Sequence, residues 1–149
     1  MPLQGKGPKD LPAFLEAFYK VSDDPEDHDT YLSFFSEDAT LVMGLKKFEG
    51  HEQIRQMRHA IWAAVATRHH IVGKVYPGGP PGELMLFGTV DYGLKIGKEL
   101  RSEWAARMVF DPKDTEKMKF YQVYLDSSPG VIAQGKSIVP GENGEMVIR

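Results

Sequence analysis

The sequence predicts an α+β domain in which a curved antiparallel sheet wraps its concave face around helices gathered on the N-terminal side. Three observations carry that reading. Apolar residues recur at helical spacing in three stretches between Leu11 and Ala66, the period switches to two from Arg68 onward, and Gly and Pro clusters then punctuate the chain at strand-length intervals. At 149 residues the chain fits one domain, long enough to bury about two thirds of its unfolded surface.

Residues 1–9, rich in Gly, Pro and Lys, read as a loose leader; the domain spans 10–128 and a Gly-rich tail covers 129–149. Asp10 stands where an N-cap would, and Leu11, Phe14, Leu15, Phe18 and Val21 repeat at helical spacing. Pro25 breaks this helix within Ser22–Asp27, since it disfavours a helical Asp24, and is itself able to open a new helix. A second, short helix carries Tyr31, Leu32, Phe34 and Phe35. Ala39–Met43 reads as a strand, followed by a turn at Gly44 and a short return strand before Gly50. The spacing of Ile54, Met57, Arg58, Ile61, Trp62 and Val65 predicts a third helix over His51–Ala66.

Long strands follow, separated by Pro77–Gly82, by Gly97-Lys98 and by Asp111–Asp114. Leu84, Leu86, Gly88, Val90, Tyr92, Leu94 and Ile96 make the better core face of one. Ser102, Trp104, Ala106, Met108 and Phe110 share a face of the next, and Tyr121, Val123 and Leu125 a face of the last. In the tail, Met146-Val147-Ile148 is a small apolar end that either docks as an edge strand or stays loose.

Composition removes several function classes. A net charge of -3, with Lys and Arg scattered rather than striped, supplies no field for nucleic acid. The absence of cysteine removes disulfides, thiol nucleophiles and thiolate metal sites, and fits a reducing compartment. No apolar run has signal-peptide or membrane-spanning character, so a cytoplasmic protein without a membrane partner is expected. Pro77–Gly82 reads as a turn rather than a phosphate cradle, because its prolines lack amide donors. His51, His59, His69 and His70 lie in one segment, but adjacent strand residues diverge and no spacing resembles a metal-ligand set. No metal and no cofactor are expected.

The stretch Ala64–Val75 is where a helical pattern hands over to the first long strand. A strand sends alternate side chains to opposite faces, so only one of His69 and His70 brings a titratable ring into an enclosed space.

The run Tyr31-Leu32-Ser33-Phe34-Phe35-Ser36-Glu37-Asp38-Ala39-Thr40-Leu41, the Gly50 before helix three, and Thr67-Arg68-His69-His70-Ile71-Val72-Gly73 resemble the nuclear transport factor 2-like superfamily. The likeness is to its SnoaL-like and scytalone dehydratase-like branches and spans Leu11–Ser128. It implies a cone-shaped fold, with a curved antiparallel sheet around three N-terminal helices. It also implies a homodimer through the convex sheet face, which here would include Phe87, Val109, Phe120 and Tyr124. The superfamily hosts dehydratases, isomerases, cyclases and plain binding proteins, so the fold does not fix the reaction.

Residue by residue, the resemblance matches Asp24 and His70 to the dehydratases' paired aspartate and histidine, and Tyr19 to the oxyanion-stabilising tyrosine of the steroid isomerases. The departures are equally specific. Met43 stands in the place of the isomerases' general-base aspartate and Ala106 in that of their second oxyanion donor, which excludes that reaction. Ala106 also replaces a dehydratase asparagine, Asp23 and Leu45 replace two water-holding tyrosines, and Leu94 replaces a second histidine.

The expectation is therefore a cofactor-independent proton-transfer enzyme, a dehydratase, isomerase or cyclase acting on a hydrophobic cyclic metabolite such as a polyketide. His70 would be general base and acid, Asp24 would orient it, and Tyr19 or Tyr92 would polarise a carbonyl. Tyr92, Trp104, Tyr121, Met43 and Ala106 would line the substrate cavity. Plainer roles stand beside these: Asp24 as a cap of the helix at Pro25, the tyrosines as packing aromatics, and the whole as a non-catalytic ligand-binding or dimeric interaction module.

Overall fold

A computed structural model describes residues 7–149. The leader expected over 1–9 falls largely on residues 1–6, outside the described residues. The first helix, α1 (Leu11–Ser22), starts where Asp10 caps it, the Asp10 carboxylate accepting from the Ala13 amide at 3.1 Å. It buries Leu11, Phe14, Leu15, Phe18 and Tyr19. The next helix, α2 (His28–Ser33), is capped by Asp27 through the Thr30 amide at 3.1 Å, so the helix opens there and not at Pro25. Phe34 ends it, and Phe35 already belongs to the strand β1 (Phe35–Met43), four residues longer at its start than the sequence pattern predicts.

The return strand β2 (Lys46–Glu49) leads into α3 (Gly50–Ile61). This helix is shorter than expected. Trp62 caps it, and the β-branched Val65 and Thr67 leave it to pair with Leu94 and Gly93. The long strands are β3 (Val65–Pro77), β4 (Glu83–Leu94), β5 (Glu99–Asp111) and β6 (Asp114–Leu125).

The main sheet runs in the order β2-β1-β6-β5-β4-β3. It is antiparallel except where β1 lies parallel to β6, with Leu41 opposite Tyr121, so the wall is mixed rather than wholly antiparallel. The predicted core faces of β4 and β5 are the buried ones: Leu84, Leu86 and Val90, and Trp104, Ala106, Met108 and Phe110, all point inward. Ile96 does not; it sits exposed in the turn between β4 and β5.

Gly88 is required on β4 by a close approach. A Cβ there would lie 2.0 Å from the Ile71 carbonyl oxygen of β3 and 3.1 Å from the Trp104 ring. The tail forms a short helix, α4 (Ser128–Ala133), then β7 (Ile138–Pro140) and β8 (Met146–Ile148). Among the described residues these two strands pair with each other alone, in a separate hairpin, so Met146–Ile148 is not an edge of the main sheet. Among the described residues no helix is long and apolar enough to cross a membrane.

Candidate active site

Between the concave face of the sheet and the helices lies a cavity of about 290 Å³. Its walls are mainly apolar: Met43, Met57, Ile61, Val65, Leu94, Leu100, Val123 and Leu125. Trp104 forms part of the wall, and the polar groups reaching it are Ser22, Tyr31, Arg68, His70, Tyr92 and Tyr121.

His70 and Arg68 are alternate residues of β3 and share its inward face, while His69 is exposed on the other. Strand parity thus places His70, and not its neighbour, at the cavity. The acid that meets it is Asp23. Its Oδ1 lies 2.5 Å from His70 Nδ1, and its Oδ2 accepts the His70 backbone N–H at 2.8 Å. One carboxylate therefore fixes both the ring and the backbone of the same residue. His70 Nε2 makes no hydrogen bond with the described residues, which leaves that nitrogen for a ligand.

Asp24, matched to this role by the resemblance, is exposed and turned away. Its Oδ1 accepts the amides of Glu26 at 2.8 Å and Asp27 at 3.2 Å, holding the turn between α1 and α2. Those two backbone donors pull its carboxyl below the ordinary carboxylate range. Helix geometry gives the reason. Asp23 follows Tyr19 by four residues and continues the face of α1 on which Tyr19 packs against the His70 ring at 5.1 Å, whereas Asp24 is rotated away by a further residue.

Burial pushes the His70 pKa below its ordinary 6.5, against the opposing pull of the Asp23 hydrogen bond; the Arg68 charge adds to the lowering. The ring is consequently neutral at pH 7. With Asp23 accepting the Nδ1 proton, Nε2 carries the free lone pair that a general base needs.

The remaining expected residues divide. Tyr92, Trp104, Tyr121 and Met43 line the cavity. Tyr19 does not: it is enclosed behind the wall, packed on the His70 and Trp104 rings with its hydroxyl 3.1 Å from that of Tyr121, and burial drives its pKa well up. Ala106 is completely buried in β5 behind the lining. Trp104 is fixed by its indole N–H, which donates to the Thr89 carbonyl at 2.9 Å.

Sequence reasoning missed two arginines. Arg68 Nη2 donates to the Ser22 carbonyl and, at 3.0 Å, to the Ser22 hydroxyl, while Nε stands 3.5 Å from Asp23 Oδ1. Arg58 is wholly buried without a carboxylate partner. It donates to the Ser22 carbonyl at 2.8 Å and the Asp24 carbonyl at 2.6 Å, and lies over the Tyr31 ring at 4.3 Å. Burial lowers its pKa to about 10, still charged at neutral pH. The available signal for Arg68 was its position two residues before His70. Among the described residues no group of three or more His, Asp or Glu side chains is placed to hold a metal ion.

The architecture matches solved structures at low identity. A protein from Catenulispora acidiphila with a ketosteroid isomerase-like fold, in complex with trimethylamine, superposes with TM-score 0.72 at 17% identity, covering 85% of this chain and 95% of that one. The chain has the nuclear transport factor 2-like fold. A protein from Shewanella denitrificans described as a SnoaL-like polyketide cyclase gives TM-score 0.68 at 13% identity over 83% and 96% of the two chains. TerC, co-crystallised with polyporic acid, gives 0.67 at 14% identity over 83% and 94%. No protein-family model matches the sequence, and no curated protein does. At these identities the nuclear transport factor 2-like likeness establishes the architecture alone, and the chemistry has to be argued from the cavity.

Proposed function

We propose that the chain is a cofactor-independent proton-transfer enzyme acting on a hydrophobic cyclic metabolite, by dehydration, isomerisation or cyclisation. The observation that carries it is the Asp23–His70 contact at 2.5 Å, with Nε2 left free toward an apolar cavity. Nε2 would remove a proton from carbon beside a ring carbonyl. The Asp23 carboxylate would stabilise the resulting imidazolium, and the same nitrogen would return the proton to an oxygen or to another carbon. The Tyr92 side chain lines the cavity and would polarise the carbonyl, and the apolar lining would exclude water and strengthen that contact. Neighbours of the same fold described as a SnoaL-like polyketide cyclase and as co-crystallised with polyporic acid support a cyclic substrate.

The test is exchange of the α-protons of 2-tetralone for deuterium, followed by NMR. The protein should accelerate exchange over a buffer blank, and His70→Gln should lower that rate by on the order of a hundredfold or more. Exchange that His70→Gln leaves unchanged, or no acceleration at all, removes the mechanism. What then remains is a ligand-binding or dimeric interaction module, a reading favoured by the apolar side chains on the outer sheet face.

A further inference from the structure

The cavity's polar end carries surplus positive charge. Arg68 lines it, Arg58 lies behind it on the same Ser22 carbonyl at the last turn of α1, and the partly buried Asp23 is the carboxylate beside Arg68. The C-terminus of α1 adds roughly half a negative charge, and the two guanidinium groups already cover its carbonyls. His70 is neutral, as are Tyr31, Tyr92 and Tyr121, while Asp24 lies outside in solvent.

Arg68 is nine-tenths buried, its side chain 9% exposed, yet its donors are not used up. Nη2 is occupied by Ser22. Nε is buried without a hydrogen-bond acceptor, since Asp23 Oδ1 at 3.5 Å is too far for more than charge attraction. Nη1 makes no hydrogen bond with the described residues. The guanidinium plane is held against Trp62, 4.9 Å from the ring centre, so it has little freedom to seek a partner elsewhere. Arg68 shares a strand face with His70, and its Nε and the His70 Nδ1 flank one Asp23 oxygen at 3.5 and 2.5 Å, so the guanidinium and the imidazole are neighbours on the same wall.

We propose that the cavity takes an acid: an apolar cyclic molecule bearing a carboxylate or an ionised enol, its negative oxygen on Arg68 Nη1 and its ring against Trp104, Leu94 and Leu100. The proposal rests on the cavity being the substrate site, but not on His70 acting as a base. A buried cation with unfilled donors favours an anion over a neutral isostere, because the isostere leaves those donors unpaired.

Calorimetry at pH 7.5 tests this with two pairs of probes: 2-naphthoate against 2-naphthamide, and 2-hydroxy-1,4-naphthoquinone against its methyl ether. The unmodified protein should bind the acid of at least one pair tenfold or more tighter than the neutral partner. A preference confined to one pair supports the proposal and names the head group. Arg68→Met should bring the ratio close to one while the neutral probe still binds, and His70→Gln should keep the ratio even where proton exchange is lost. Equal affinities within both pairs, a ratio that survives Arg68→Met, or no binding of either acid at millimolar concentration would overturn it. Should Arg68→Met fail to fold, Arg68→Lys replaces it: its compact ammonium has no counterpart to Nη1, so an undiminished ratio in that variant also overturns the proposal.

Discussion

Asp23 and Asp24 are adjacent carboxylates with different work, and the difference is measurable. Asp23 binds the His70 ring and backbone, whereas Asp24 binds two amides of an exposed turn. Asp23→Asn should lower proton exchange on the order of a hundredfold, since an amide holds the Nδ1–H tautomer poorly and does not offset an imidazolium. Asp24→Asn should leave the rate at the unmodified level, and a reversed ranking of the two variants would reinstate Asp24 as the orienting acid. The pH dependence follows from burial. Because the folded His70 resists protonation, the acid limb of kcat/KM should lie below pH 6.5. The sign for stability is the same: below pH 6.5 the unfolded chain takes up a proton that the folded chain refuses. His70 therefore favours folding above that pH, and its contribution is lost as pH falls toward the depressed value. Asp23→Asn removes the negative charge and weakens the hydrogen bond that together raise the His70 pKa, so the acid limb should move lower still; a limb displaced upward would show that Asp23 does not exert that pull.

The element that organises the site is the C-terminal end of α1. Its last carbonyls meet no continuing helix, and Arg58 from α3 takes that of Ser22 at 2.8 Å together with that of Asp24, just beyond the helix, at 2.6 Å. Arg58→Met keeps the apolar stem but takes the guanidinium from the Asp24 carbonyl at 2.6 Å and from His28 Nδ1 at 3.2 Å, costing about 3 kcal/mol. For a chain of this length that corresponds to a fall of roughly 6–12 °C in Tm, readable by scanning calorimetry. A variant that melts with the unmodified protein would mean that water replaces the guanidinium without loss. This end of α1 also marks the limit of sequence reading. Periodicity located α1, α2 and the inward faces of β4 and β5, because helix and strand periods leave a plain record in apolar residues. It could not separate Asp23 from Asp24, whose difference of 100° about the helix axis matters only once β3 is in place. Arg58 fell on a face of the third helix by its spacing, but periodicity does not say which carbonyls a buried guanidinium there would meet. The early end of α3 was equally hidden: Trp62 and Val65 satisfy helical spacing, and only the pairing of Val65 with Leu94 decides for a strand.

Taken as one body, the described residues place the helices and the cavity on one side of the main sheet. The helices and cavity occupy the concave side, while Ile71, Tyr76, Met85, Phe87 and Tyr124 stand exposed, with Tyr76 and Phe87 stacked at 6.2 Å. Cross-strand ion pairs, Asp91 with Arg101 and Glu83 with Arg107, lie on the same outer side of β4 and β5. An apolar patch accompanied by paired charges fits an interface with a second copy better than a solvated face. Of the residues expected there, Phe87 and Tyr124 are open, whereas Val109 and Phe120 are half-buried, the latter under Arg107 at 5.1 Å. A homodimer at micromolar concentration is the expected result of sedimentation velocity. Across a two-fold axis one substitution changes the interface twice, so Phe87→Glu introduces two charges into it while lying on the face of β4 opposite the cavity. The variant should sediment as a monomer, with binding of 2-naphthoate preserved. An unmodified protein that is already monomeric, or a Phe87→Glu variant that still dimerises, would move the interface away from this face and leave its exposed aromatics to another partner.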